Sequence, residues 1–329
     1  MSAYIPPYTI SNRMLEMVSS ISEKVGKITT YKGFEARPYL RRNNRIRSIH
    51  SSLKIEANSL SLNEVRDVIN GHLVPGNQKE IQEVKNAYAA YEKIPEINPS
   101  SITDLKKIHG IMTYRIIEES GKFRSGDEGV FSGDKCVFVA PPPHMVDSLT
   151  RDLLLWIKQS EGKLHPLIVA AVFHYEFVFI HPFADGNGRM ARLWHTVILR
   201  RWRKVFEFIP LESRIEEFQG KYYDAIAKSH TNGNSDVFIE FMLEMIDQIL
   251  DEVITQINKT NAETSEYVKR LLDIMEYDVP YTSNDILRRL GLKSKETLRK
   301  NYLNPAIELG LVRMSLPDKP NSRNQRYVK

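Results

Sequence analysis

The stretch Leu167 to Phe179 constrains this chain more than any other, because it is apolar on nearly every helical face. A helix of that kind cannot lie on a surface, so it marks the centre of a helical bundle. His174 and Glu176 interrupt it and it is too short to span a bilayer, so no membrane role follows. The chain has 329 residues, 42% of them hydrophobic, enough to bury a large core and to form two or three domains. Its one cysteine, Cys136, excludes an internal disulfide and any zinc site built on several thiolates. The segment MSAYIPPYTI has neither a basic start nor an apolar run of signal length, so a cytoplasmic location is expected.

Helical patterning dominates the rest. Asn44 to Ala57 places Ile46, Ile49, Leu53 and Ala57 on one stripe. Ser61-Leu62-Asn63-Glu64 is a capping-box pattern opening a helix that ends near Asn70-Gly71. Pro95 and Asn98-Pro99 mark a break, and helices are expected from Thr103 to about Glu119, Asp147 to Gln159, Ile215 to Lys228 and Asp236 to Ile257. The runs around Ser132-Gly133-Asp134-Lys135 read as a short hairpin ended by three prolines, and Lys259 to Thr264 as a polar linker. The fold class is mainly α with one small hairpin.

Directly after the buried helix comes HPFADGNGRMAR, His181 to Arg192. Gly186-Asn187-Gly188 lets backbone amides approach an anion, and a helix starting there aims its free N–H groups and positive dipole end at it. Arg189 and Arg192, three apart, offer guanidinium forks that suit phosphate oxygens. Asp185 is a hard oxygen ligand able to hold Mg²⁺ jointly with phosphates. His181, with a pKa near neutrality, can take a proton from an attacking hydroxyl. Phe183 is expected to point into the core. His109, His174 and His195 lie in apolar helical stretches and read as core histidines rather than ligands.

These twelve residues resemble the signature of Fic-domain proteins, HxFx(D/E)GNGRxxR, at every defined position. The resemblance extends over roughly residues 45 to 250, since GKFR with VFVAPPP is similar to the family's flap, and Tyr222-Tyr223 stand where the family often has a tyrosine pair near the adenine. It implies an all-α core and Mg²⁺-dependent transfer of AMP from ATP to a Ser, Thr or Tyr hydroxyl of a protein, which could be the chain itself. Carried over, His181 is the base, Asp185 the Mg²⁺ ligand, Gly186, Asn187 and Gly188 the anion hole, and Arg189 and Arg192 the contacts to the outer phosphates. The flap, Val137, Phe138, Val139 and Ala140, would hold the target in register by strand-like pairing.

Upstream, Ser51-Ser52-Leu53-Lys54-Ile55-Glu56-Ala57-Asn58 resembles the family's inhibitory helix, (S/T)xxxE(G/N), with Ser52 and Glu56 in register and Ala57 where Gly or Asn is expected. A carboxylate at Glu56 against Arg192 would form a bidentate pair and fill the γ-phosphate's place. Autoinhibition is therefore expected. Removal of AMP, with Glu56 orienting water, is an alternative, whereas Gly188 argues against phosphate transfer.

The net charge of +5 is uneven: Tyr281 to Lys329 carries eleven Lys and Arg against four acids, net +7, leaving −2 for the rest. Helical patterns over Tyr267 to Met275, Thr282 to Leu290 and Lys295 to Leu309, followed by a basic hairpin of Leu311 to Met314 and Gln325 to Val328, resemble a winged helix-turn-helix, with Lys295, Arg299 and Lys300 on the recognition helix. The expected organisation is an N-terminal helical region (1–100) carrying the inhibitory helix (about 44–58), a catalytic domain (101–258) and a winged helix (264–329). Expected partners are a hydroxyl-bearing protein substrate, DNA through the winged helix and a second copy of the chain. The rival from another class is a DNA-binding regulator whose Fic-like domain senses nucleotide.

Overall fold

The computed structural model describes residues 4–30, 38–132, 135–263, 265–275, 279–309, 311–317, 319–320 and 322–329. The chain divides into two compact units, one of Met1–Tyr31 with Arg42–Leu250 and one of Lys32–Arg41 with Asp251–Lys329. Among the described residues no helix is long and apolar enough to cross a membrane.

In the first unit the helices are α1 (Asn12–Thr30), α2 (Pro38–Ile55) from Arg42 on, α3 (Leu62–Ile69), α4 (Gln78–Glu92), α5 (Ile102–Met112), α6 (Pro143–Ser160), α7 (Pro166–Ile180), α8 (Asn187–Trp202), α9 (Leu211–Glu217), α10 (Gln219–Asn232) and the start of α11 (Asp236–Glu263). α7 is the buried stretch read from the sequence, and every residue from Leu167 to Phe177 is out of solvent. Pro166 opens it, where a missing N–H costs nothing, and the His165 side chain accepts from the Leu167 amide. Its principal neighbour is α8, with Phe173 stacked on Trp194 at 6.5 Å between ring centroids. Trp194 in turn donates from Nε1 to the Pro99 carbonyl at 2.9 Å, which explains how an indole can be fully buried.

β1 (Gly129–Ser132) and β2 (Lys135–Val139) form an antiparallel hairpin with an irregular register at Val130/Phe131. Gly133 and Asp134 of the expected turn lie outside the described residues, as does the side chain of Val137. Phe138 packs on Phe179 and His230, while Val139 is 71% exposed.

Three helix expectations need correction, the first being Ile215 to Lys228, which is divided at Phe218 into α9 and α10. The helix expected to reach Glu119 stops at Met112, because the Thr113 hydroxyl bonds back to the His109 carbonyl and across to Ser120, and Arg115 turns to a φ of 59°. The linker expected at Lys259 to Thr264 is helical as far as Glu263, as the end of α11, and Thr264 lies outside the described residues. The capping box is as read, with Ser61 accepting from Glu64 N–H and Glu64 accepting from Ser61 N–H.

The second unit has a core of its own, including Val268, Leu271, Ile286, Leu298, Tyr302 and Val312. α12 (Glu266–Ile274) and α13 (Ser283–Leu290) precede a third helix over residues 295–308. Thr282 and Asp285 form a second capping box and Gly291 ends α13 at a φ of 68°. The third helix widens to π geometry over Leu298–Leu303, with the Asn304 amide on the Arg299 carbonyl, because Pro305 supplies no amide to the turn before it. β3 (Arg313–Met314) pairs with β4 (Tyr327–Val328), and Tyr281 bridges to Tyr327.

α2 ends with the Asn58 amide on the Leu53 carbonyl and Ala57 in the left-handed region at a φ of 65°. That conformation costs a residue with a Cβ about 1 kcal/mol and glycine almost nothing. Ala57→Gly is therefore expected to raise stability by a few tenths to about 1 kcal/mol, less what the looser unfolded chain takes back; the midpoint of urea denaturation measures it.

Candidate active site

The turn between α7 and α8 is built from its own side chains. His181 caps α7 in a left-handed conformation, φ 51°, so the chain leaves the bundle axis there, and Pro182 prevents the helix from resuming. The Asn187 side chain then binds the backbone of Phe183 twice, Nδ2 donating to its carbonyl at 2.7 Å and Oδ1 accepting from its amide at 3.0 Å. That side chain is spent on the loop, which leaves the Asn187 backbone for any anion. Phe183 is buried, as expected, and lies flat on the His109 ring with centroids 3.6 Å apart. His109 accepts the Gly121 amide on Nδ1, so its proton is on Nε2, which donates to the Asp185 carbonyl at 3.0 Å. Burial pulls its pKa down to about 4, and the neutral ring forms a floor under the loop.

Gly186 has a φ of 81° and a Cβ there would meet Thr113 Cγ2 at 3.1 Å, so only glycine suits the start of α8. Asp185 is 41% exposed, and its Oδ1 takes the Gly186 amide and Arg189 Nη2, the latter at 2.9 Å. Arg189 also faces Glu83 of α4 at 3.5 Å. Arg192 is 2% exposed and donates from Nε to Ser52 Oγ at 3.1 Å and from Nη2 to the Ser52 carbonyl at 3.0 Å and to Glu56 Oε1 at 2.7 Å. The expected bidentate pair is thus replaced by a single-oxygen contact, because the Ser52 hydroxyl occupies the other branch of the fork. Burial opposes the Arg192 charge, but Glu56 and its hydrogen bond hold its pKa above the ordinary value.

The Glu56 carboxylate also lies on the first turn of α8, where a Cβ on Gly188 would come within 2.3 Å of Oε1. An anion is therefore already seated where the helix N-terminus favours one. α2 is held in this position by Ser51 and Lys54, both bound to Glu216 of α9 at 2.8 and 2.7 Å, and by Gln219 on the Ile55 carbonyl. Asn58 then donates to Glu83 at 2.9 Å, so one carboxylate serves both the turn after α2 and the first arginine of the motif.

His181 has one ring nitrogen engaged with the main chain. Its Nδ1 lies 3.3 Å from the Val178 carbonyl, which can only accept, so in the neutral ring Nε2 is the basic nitrogen. Burial lowers its pKa, with the charge of Arg124 acting in the same direction and Glu128 and Glu56 opposing. Tyr222 is buried with its hydroxyl 3.0 Å from His174 Nε2, and Tyr223 is 48% exposed beside it at 5.2 Å between centroids. Of the pair, only Tyr223 presents a face to solvent.

Residues 99–199 match the Fic/DOC family, and residues 266–328 match the domain described as Filamentation induced by cAMP protein Fic-like, C-terminal domain. A crystal structure of a Fic family protein from Desulfovibrio desulfuricans is 40% identical, with a TM-score of 0.75 over 99% of this chain and 98% of that one. The chain belongs to the Fic family. Among other Fic proteins, one from Nematostella vectensis named protein adenylyltransferase Fic is 29% identical over 62% of this chain and 47% of its own length. Fic-1 of Caenorhabditis elegans, named likewise, is 26% identical over 67% of this chain and 46% of its own. The chain thus spans about half the length of these curated relatives.

Three residues at the site are not singled out by the sequence. Glu83 lies about a hundred positions from Arg189 on an otherwise ordinary amphipathic helix. His109 was read only as a core residue, and Arg124 only as part of a resembling segment. A buried neutral histidine also has a pH signature. His109 is harder to protonate folded, at about 4, than unfolded, at about 6.5, so its contribution is complete above 6.5 and is lost as pH falls through that window. The stability difference between pH 7 and pH 4.5 is expected to be smaller in His109→Gln than in the unaltered chain, by up to about 2 kcal/mol; urea titrations at the two pH values measure this.

Proposed function

We propose that this Fic protein transfers AMP from ATP to a hydroxyl side chain of a protein and that Glu56 holds it inactive. The carrying observation is the Glu56 carboxylate on the first turn of α8 against the buried Arg192, an anion standing at a seat made for phosphate. The names of the curated relatives supply AMP as the group transferred. The target hydroxyl attacks the α-phosphorus, its proton passes to His181 Nε2, and the bond to the β-phosphate oxygen breaks to release pyrophosphate. A pKa lowered by burial keeps His181 in the proton-accepting form. The amides of Gly186, Asn187 and Gly188, with Arg189 and Arg192, stabilise the phosphate charges.

Asp185 is the residue that would hold Mg²⁺. It is half exposed and beside the seat, and a single carboxylate with phosphate oxygens and water suits that ion. Mg²⁺ supplies neutralisation of phosphate charge. The exposed Val139 on the edge of β2 would pair with the target's main chain, and Tyr223 offers a face to the adenine. The single cysteine accords with action in a reducing cytosol.

Incubation with Mg²⁺ and ATP labelled at the α-phosphate tests this. Glu56→Gly is expected to label itself or a protein in an extract about ten- to a hundredfold more than the unaltered chain. Adding His181→Ala is expected to lower the labelling rate of that variant about 10²- to 10⁴-fold. Equal labelling in all three would overturn the reading.

For the second unit we infer binding to DNA. A groove of about 340 Å³ between the third helix and the hairpin is lined by Lys295, Arg299, Arg323 and Gln325. Gln325 is 5% exposed, and its Oε1 has no partner among the described residues, which suits a ligand with anionic and donor groups together. Duplex DNA binding is expected to weaken with salt, and Lys295→Glu with Arg323→Glu is expected to reduce both affinity and the slope of log K against log salt by about two phosphate contacts. Fluorescence anisotropy measures both.

A further inference from the structure

Arg124 is 3% exposed, and all its side-chain hydrogen bonds end on main-chain carbonyls. Nε donates to His181 at 2.7 Å, Nη1 to Gly126 at 2.7 Å, and Nη2 to Pro141 and, at 3.5 Å, to Ile180. Its own amide donates to the Pro182 carbonyl at 3.0 Å.

These acceptors fall in two places. Ile180, His181 and Pro182 are the end of α7, where a helix leaves carbonyls without amides ahead of them and where a cation is favoured. Gly126 and Pro141 flank the β1–β2 hairpin, whose base is closed by the Ala140 amide on the Glu128 carbonyl at 3.0 Å. After Ala140 come three prolines with no N–H to give, so this exit strand depends on donors from elsewhere. A left-handed His181 persists only where its surroundings over-determine it, and Arg124 binds the carbonyl on either side of it as well as its own.

The structure assigns Arg124 as the positioning residue that fixes the spacing between the base and the flap, an assignment that builds on the transferase reading above. A planar guanidinium serves acceptors in several directions from one rigid fork, which a lysine ammonium at the same point cannot reproduce. The base and the edge that would hold the target are thereby one body. An uncoupled flap would let the target hydroxyl drift from His181 Nε2, and a displacement of about 1 Å there costs about a hundredfold in rate.

The test uses Arg124→Lys and Arg124→Gln in the full chain carrying Glu56→Gly, each checked for folding by thermal melting. Amide hydrogen exchange is expected to quicken together over residues 127–140 and 178–183, with 52–58 and 189–192 unchanged. With the chain itself as acceptor of label from α-phosphate-labelled ATP, kcat is expected to fall about a hundredfold, with KM for ATP moving less than about twofold. Loosening of one segment without the other, or a rise in KM for ATP at constant kcat, would overturn the assignment. If the Glu56→Gly parent transfers nothing, the transferase reading fails, while the exchange pattern still decides whether Arg124 joins the two segments. Arg124→Gln serves where the lysine variant does not fold.

Discussion

Arg192 is a full positive charge placed inside the protein, and much of the structure answers to it. A buried guanidinium is tolerated only if each branch of its fork finds a partner, since an uncompensated charge in such a place costs several kcal/mol. Ser52 of α2 and Glu56 in the turn after it supply those partners, and Glu216 and Gln219 fix α2 where they can. Around the same charge stand Tyr91 and Glu212, themselves hydrogen-bonded at 2.7 Å, with burial pushing the Glu212 carboxyl pKa up. The end of α2 is thus the local solution to an electrostatic problem that α8 creates. Any ligand that replaces Glu56 has to satisfy the same guanidinium, which selects for anions rich in oxygen.

How much of this was legible beforehand depended on whether the chemistry was local. His181 to Arg192 could be read because its loop, helix start and charges are contiguous, and Glu56 because Ser52 stands one helical turn before it. The burial of α7 was visible in its composition alone. Glu83 was not, because nothing in the sequence of α4 distinguishes a carboxylate that meets Arg189 from one in water. The early end of α5 was hidden as well, since it rests on Thr113 bonding to Ser120 and on Gly121 meeting His109, contacts that exist only after the chain has turned. The single-oxygen geometry of Glu56 on Arg192 depended in the same way on which branch the Ser52 hydroxyl took. Lys259 to Glu263 looked like a linker because polar residues suit either a loop or an exposed helix.

The three histidines of the core have different physical settings although their sequence contexts are alike. His109 has both nitrogens engaged and a ring face covered by Phe183. His174 shares one nitrogen with Tyr222 and lies 5.6 Å from the His195 ring. Burial lowers the pKa of all three, so around neutral pH the positive charge near the site is carried by arginines, and His181 is the histidine at the edge of water.

The left-handed Ala57 has a kinetic meaning. The turn that presents Glu56 carries about 1 kcal/mol of conformational strain that a glycine would not, and this strain is relieved whenever the turn opens. At room temperature that multiplies the population of the opened turn about fivefold. The turn is thus held closed by the contact of Glu56 with Arg192 against a local preference to open, and one methyl group on Ala57 sets the size of that preference.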